Sequence, residues 1–316
     1  MTKLGKYLSG ATTGLLCTFL LASPEKIDYR MIEKIKDEGF RRSQVMKTAG
    51  YMADVLGPRF SNSPGYTKAA EWAKERFEAW GIKAEVEAYG EVGPGWENRY
   101  TSVHMLRPQY MPLIAYTKPY SRGTKGKITG RVVAVDTETI FSPADLEKYR
   151  GNLRGKIVFT KPKRKLTLNF QPDAVRLSRE DLDEMAELRI IPPQAPGGDA
   201  EQPYGGPKER NRDRQKRPLD EKEVQKFFDQ EGVAVLVEPG GPQGSAPMDK
   251  GLVHVSAPRP LGKGEPKPLP AVIVAAEHYN RIMRILEWGI DVEMEVEVGV
   301  FFEEDDLRDF NVIAEI

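Results

Sequence analysis

Three histidines, one cysteine and a row of glutamates are the side chains of this 316-residue sequence best suited to metal or nucleophilic chemistry. His104, His254 and His278 stand far apart, and none lies at H-x-D, H-E-x-x-H or another ligand spacing. Cys17 alone forms neither an internal disulfide nor a cysteine-rich zinc site. No G-x-S-x-G elbow occurs, and Cys17 lies in an apolar leader, so acyl-enzyme chemistry lacks a nucleophile. Ser23-Pro24-Glu25-Lys26 spells S-x-x-K, but no partner motif follows it. Gly240-Gly241-Pro242-Gln243-Gly244 runs into Ser245-Ala246-Pro247 rather than into a helix, so it lacks the helix N-terminus a phosphate cradle needs. Glu293, Glu295 and Glu297 recur at period two with no histidine among them, the pattern of a solvated strand face. Glu277 is expected to cap a helix, with His278 packed at a domain boundary. His104, in Thr101-Ser102-Val103-His104-Met105-Leu106, reads as a donor to a backbone carbonyl, and His254 reads alike. The spacing assigns no catalytic, cofactor-binding or metal residue.

The elements around these residues begin with a helix from Ser43 to Leu56, in which Val45, Met46, Ala49, Met52, Ala53 and Leu56 share one face before Gly57-Pro58 stops it. Ser63-Pro64 caps a second helix, with Tyr66, Ala69, Ala70, Ala73, Phe77 and Trp80 as its stripe and Gly81 as its end. Ile82, Ala84, Val86 and Ala88 alternate with Lys83, Glu85 and Glu87 as a half-buried strand. From about Lys127 short strands follow at Arg131 to Asp136, Lys156 to Thr160, Val233 to Val237 and Ala271 to Ala275. Two helices are expected among them, Ser142 to Tyr149 and Glu277 to Trp288. Six prolines and four glycines between Pro192 and Pro218 predict a long exposed loop. A long strand from Val292 to Val300 follows, and Asn311 to Ile316 starts another.

Length and charge narrow the function classes. The chain is long enough for about two domains. Its 47 basic and 47 acidic side chains balance, which argues against a nucleic-acid partner. The basic run Lys208 to Arg217 has no interleaved aromatics to stack bases, so it too reads as solvated. Lys3 and Lys6 precede an uncharged, partly apolar stretch ending near Ala22, the pattern of a signal peptide over residues 1–24. That stretch is too short and polar for a stable membrane anchor, and it implies a secreted or periplasmic protein.

The run Asp54-Val55-Leu56-Gly57-Pro58-Arg59-Phe60-Ser61-Asn62-Ser63-Pro64-Gly65, with Trp80-Gly81-Ile82, resembles the N-terminus of secreted two-zinc exopeptidases of the plasma glutamate carboxypeptidase (carboxypeptidase Q) type. Gly123 to Val135, Leu153 to Val158, Leu269 to Arg281 and Asn311 to Ile316 agree in order with the entry to, strands of and exit from the protease-associated insert of that family. The Pro192 to Pro218 loop is longer and more charged than the family pattern. The resemblance implies an incomplete zinc-exopeptidase-type α/β domain with an inserted strand-rich α+β domain. Residues 25–126 would start the peptidase domain, 127–290 would form the insert, and 291–316 would return to the peptidase sheet. The family's two zinc ions, their ligands and its peptide-substrate chemistry belong to a half that these residues do not match. The chain is thus expected to be inactive alone, with a homodimer or another partner held through the insert. The competing expectation is a stand-alone protease-associated protein that binds proteins or peptides without catalysis.

Overall fold

The computed structural model describes residues 27–166, 176–187, 218–240 and 259–316. The expected signal peptide with Cys17, the loop from Pro192 up to residue 217, the glycine run after Gly240 and His254 lie outside the described residues. Among the described residues no helix is long and apolar enough to cross a membrane. The chain divides into two compact units, one ending at Val55 and one running from Leu56 to Ile316.

In the first unit, α1 (Tyr29–Phe40) is capped by Asp28, whose carboxylate accepts from the N–H groups of Arg30 and Met31 at 3.0 and 3.1 Å. The short α2 (Val45–Gly50) gives way to a π-helical turn, Tyr51–Val55. The single helix expected from Ser43 is thereby split. A π turn carries an extra residue, which breaks the 3.6-residue register of the apolar stripe, and Val45 and Met46 are exposed.

The second unit opens with α3 (Pro64–Ala79). Ser63 caps it, its Oγ accepting from Tyr66 N at 3.1 Å, and Pro64 occupies the first turn, where a missing N–H costs nothing. Gly81, with φ +82°, ends the helix in a conformation that a Cβ disfavours. The buried Ala69 and Ala70 give α3 a small-residue face beside a two-stranded antiparallel sheet of β1 (Lys83–Glu91) and β10 (Arg308–Glu315). Its register pairs Ala84 with Ala314 and Val86 with Val312, with a bulge at Ala88/Gly90. Of the half-buried strand expected at Ile82 to Ala88, only Ala84 is buried.

The chain between these two strands forms an eight-stranded mixed sheet. Its strands are β2 (Gly95–Arg107), β3 (Met111–Pro112), β4 (Ala115–Thr117), β5 (Ile128–Ala134), β6 (Ile157–Phe159), β7 (Val235–Pro239), β8 (Ala271–Val274) and β9 (Glu293–Glu303). They lie in the order β3-β2-β9-β5-β6-β7-β8-β4, with β5 to β8 parallel and the other pairs antiparallel. The sheet's two ends approach each other: Leu113 N donates to Val103 O at 2.9 Å, and the hydroxyls of Thr101 and Thr117 lie 2.6 Å apart. One core gathers Val103, Met105, Ile157, Phe159, Val237, Val272 and Met294 with Tyr279, Ile282 and Ile285 of α6 (Ala276–Glu287). A second core joins Val135, Ile140, Leu153, Val158 and Leu236 to Val224, Phe227 and Phe228 of α5 (Glu221–Gln230).

The expected 142–149 helix is a 3-10 helix, Pro143–Tyr149. Two further helices, α4 (Arg179–Glu187) and α5, join the two that the sequence pattern suggested. The second unit is mixed α/β, and the described elements of the first unit are helical.

Candidate functional site

The residues that the sequence analysis singled out are spread over the second unit and do not converge. His104 lies on β2 with Glu295 opposite it in register. Its Nε2 is 2.8 Å from Ser102 Oγ and its Nδ1 is 3.1 Å from Tyr110 OH, whose ring stacks on the imidazole. Both nitrogens therefore face hydroxyls rather than the backbone carbonyl expected. His278 Nδ1 accepts the backbone N–H of Ile114 at 3.0 Å, so it ties α6 to the start of β4. An Nδ1 that accepts from an N–H carries no proton, which places the ring's hydrogen on Nε2. Glu277 makes no cap: the N-cap position is Ala275, which has no side chain able to accept. Glu293 pairs with Arg107 at 3.3 Å and Glu295 with Lys127 at 3.3 Å, which satisfies two members of the glutamate row as surface ion pairs.

Zinc requires at least three donors around one point, and among the described residues no group of three His, Cys, Asp or Glu side chains is so placed. His278 Nδ1 is already taken by an N–H, and both nitrogens of His104 are in hydroxyl contacts. These residues do not fit a zinc centre, and no catalytic step through a metal follows from them.

Two buried polar clusters do have defined geometry. Around α6, Phe159 stacks on Tyr279 with ring centroids 4.6 Å apart. The Tyr279 hydroxyl donates to Lys161 O at 2.6 Å and accepts from Lys161 N at 3.1 Å. Asn280 repeats the pattern one residue on: Oδ1 accepts from Arg164 N and Nδ2 donates to Arg164 O, both at 2.8 Å. Burial holds the Tyr279 phenol well above its ordinary pKa. Just past β4, Lys118 Nζ reaches Glu238 of β7 at 2.7 Å and Glu221 of α5 at 3.2 Å. Burial opposes the Lys118 charge, but the two carboxylates outweigh it and push its pKa up.

The second cluster is the joint at which the chain leaves β1 for the eight-stranded sheet and returns to β10. It is built from the Gly57-to-Gly65 run noted in the sequence. Gly57 takes φ +68° and Arg59 Nη1 donates to Gly57 O at 2.6 Å, which closes the turn. Asn62 is buried in the left-handed conformation, φ +56°, and its Nδ2 donates to Gly93 O at 3.0 Å and to Asp306 O at 2.6 Å. Those carbonyls belong to the outgoing and the returning segments. The fully buried Trp96 sits against Phe60 and Tyr120 and donates from Nε1 to Ser121 O at 3.1 Å. Asp309, also buried, accepts from Tyr89 OH at 3.0 Å and from Phe310 N at 3.0 Å. Tyr66 OH donates to Phe310 O at 2.6 Å. The sequence pattern marks Gly57-Pro58 as a helix stop and Ser63-Pro64 as a helix cap, and assigns no role to Asn62 between them. The signal for more was Asn62 itself, a short polar side chain that tolerates φ > 0.

No family pattern matches the chain, and no curated protein matches it. Among solved structures it is similar to a peptidase M28 precursor from Shewanella amazonensis SB2B, at 16% identity and TM-score 0.50, over 90% of this chain and 53% of that one. It also matches an aminopeptidase from Aneurinibacillus sp. strain AM-1 (15% identity, TM-score 0.39, 88% of this chain and 49% of that one). A third match is BSAP, a zinc aminopeptidase from Bacillus subtilis (11%, 0.41, 85% and 45%). The chain spans about half the length of these structures. The first likeness establishes the fold.

Proposed function

We propose that this chain is the N-terminal, non-catalytic portion of a secreted or periplasmic zinc-dependent exopeptidase. In this reading α3, β1 and β10 belong to the peptidase body, and the eight-stranded sheet with its helices is a protease-associated insert. The insert then runs from about residue 92 to residue 307, wider than the 127–290 expected, because β2 and β9 pair along their length inside that sheet. The observation that carries the reading is the fold likeness that takes in 90% of this chain but only 53% of a peptidase. The order of motifs from Gly57 to Ile316 supports it. Peptide substrate, two zinc ions and their ligands would belong to the whole protein.

The test is an exopeptidase assay on the chain with added zinc and aminoacyl or dipeptide substrates. The expected result is no turnover above buffer. Turnover comparable to that of the Shewanella peptidase under the same conditions would overturn the non-catalytic assignment.

A further inference from the structure

The insert connects to the β1–β10 pair through two chain segments, residues 92–94 going out and 304–307 coming back. Between them a single backbone hydrogen bond, Val92 N to Leu307 O at 2.9 Å, continues the ladder. These two tethers run antiparallel, and this one backbone hydrogen bond joins them directly. Asn62 sits across it: both of its amide hydrogen bonds go to carbonyls of these segments, one to each. The next residue, Ser63, caps α3, which packs on β1 and β10. One dipeptide thus grips the insert's tethers with its first side chain and the helix of the strand pair with its second. Gly93 and Gly95 let the outgoing tether approach: a Cβ on Gly93 would lie 2.0 Å from Leu261 O, and one on Gly95 would lie 1.7 Å from Asn62 O.

We propose that Asn62 is a latch that fixes the insert relative to the β1–β10 pair, and that its side-chain amide, rather than its left-handed backbone, is what holds the joint closed. This inference does not rest on the peptidase reading. Removing the amide leaves two carbonyl acceptors without their donor, and each such loss weakens a buried joint by a factor of about five to a hundred.

The experiment is hydrogen–deuterium exchange read by mass spectrometry on the whole chain, following peptides that contain Val92 and Asp306. Asn62→Gly keeps the left-handed backbone available and deletes the amide. Exchange at Val92 is expected to rise about ten- to a hundredfold, with protection of β6, β7 and β8 unchanged. Asn62→Asp sets a carboxylate against the two carbonyls and should open the joint at least as far. Ser63→Ala is the control: exchange rises in the first turn of α3, at Tyr66, and not at Val92. Wild-type exchange at Val92 in Asn62→Gly overturns the proposal. So does a rise that is equal at Val92 and in the sheet core, since that reports global destabilisation instead of a local latch. If Asn62→Asp fails to fold, Asn62→Gly alone decides the matter.

Discussion

A β-carbon placed on Gly95 would come within 1.7 Å of the carbonyl oxygen of Asn62. Both positions are backbone-rich and buried, so no flexible side-chain end can move aside. Gly95→Ala must push β2 away from the 57–63 turn and with it disturb Trp96, the fully buried indole next in sequence. The expected cost is about 1–3 kcal/mol, the range of overpacked core substitutions. Urea unfolding followed by Trp fluorescence checks it, and a midpoint unchanged from wild type would contradict the close approach.

Tyr279 gives a substitution with a defined chemical meaning. Tyr279→Phe keeps the stack on Phe159 but removes the hydroxyl that both donates to and accepts from Lys161. The loss leaves a half-buried carbonyl and N–H without this partner, so destabilisation of about 1 kcal/mol is expected. The wild type carries a pH signature of the same contact. The phenol's folded pKa is raised above the ordinary 10.0, chiefly by burial, so its contribution is full below that value and is lost as pH rises above it. Alkaline unfolding curves of wild type and Tyr279→Phe should therefore converge as pH climbs past 10.

Much of the fold was legible because its signals are local. Ser63-Pro64 and Gly81 mark the ends of α3 by capping chemistry, and the apolar runs at Ile157, Val235 and Ala271 mark parallel strands buried on both faces. The misses have physical reasons too. In α5 the apolar positions are Val224, Phe227 and Phe228, an i, i+3, i+4 set only one turn long among charged neighbours, and it lies directly after a proline-rich stretch. The role of Asn62 was illegible because its partners, Gly93 and Asp306, lie 31 and 244 residues away in sequence. The ring contacts of His104 depend on Tyr110 folding back across a turn, which no strand periodicity encodes.

The α5 packing is directly testable. Phe228 is essentially fully buried in the core with Leu153, Val158 and Leu236. Phe228→Ala is expected to destabilise the chain by about 3–5 kcal/mol. Phe228→Leu, which keeps most of the volume, should cost markedly less, and equal effects from the two would show that the ring does not fill a core.

Next to the joint, Arg308 grips Asp306 with Nη2 at 2.7 Å and Nε at 2.9 Å, and Arg308 N also donates to the carboxylate. The guanidinium first, and the backbone N–H with it, hold the Asp306 pKa down at about 2. A depressed carboxylate stabilises the fold above its ordinary pKa, and that contribution fades as pH falls toward 2. A carbon-detected NMR titration of the Asp306 carboxyl should show the low value in wild type and a return toward 3.8 in Arg308→Ala. A wild-type Asp306 that titrates at the ordinary position would sink the assignment.

The last prediction concerns the strand β10. Its neighbour β1 carries Lys83, Glu85, Glu87 and Glu91, the charges that natural edge strands use to deter pairing. β10 instead holds the uninterrupted run Val312-Ile313-Ala314, none of it fully buried, and among the described residues no strand pairs with its other edge. A consecutive apolar run belongs to a strand covered on both faces inside a wider sheet. Left open, that edge should drive concentration-dependent association of the chain. Ile313 lies directly opposite Glu85 in the β1–β10 register, so Ile313→Lys places a cation beside a carboxylate as well as on the open strand. Multi-angle light scattering across a concentration series should show association of the wild type and a clear reduction in Ile313→Lys at unchanged thermal stability. Equal association in both would move the sticky surface away from β10.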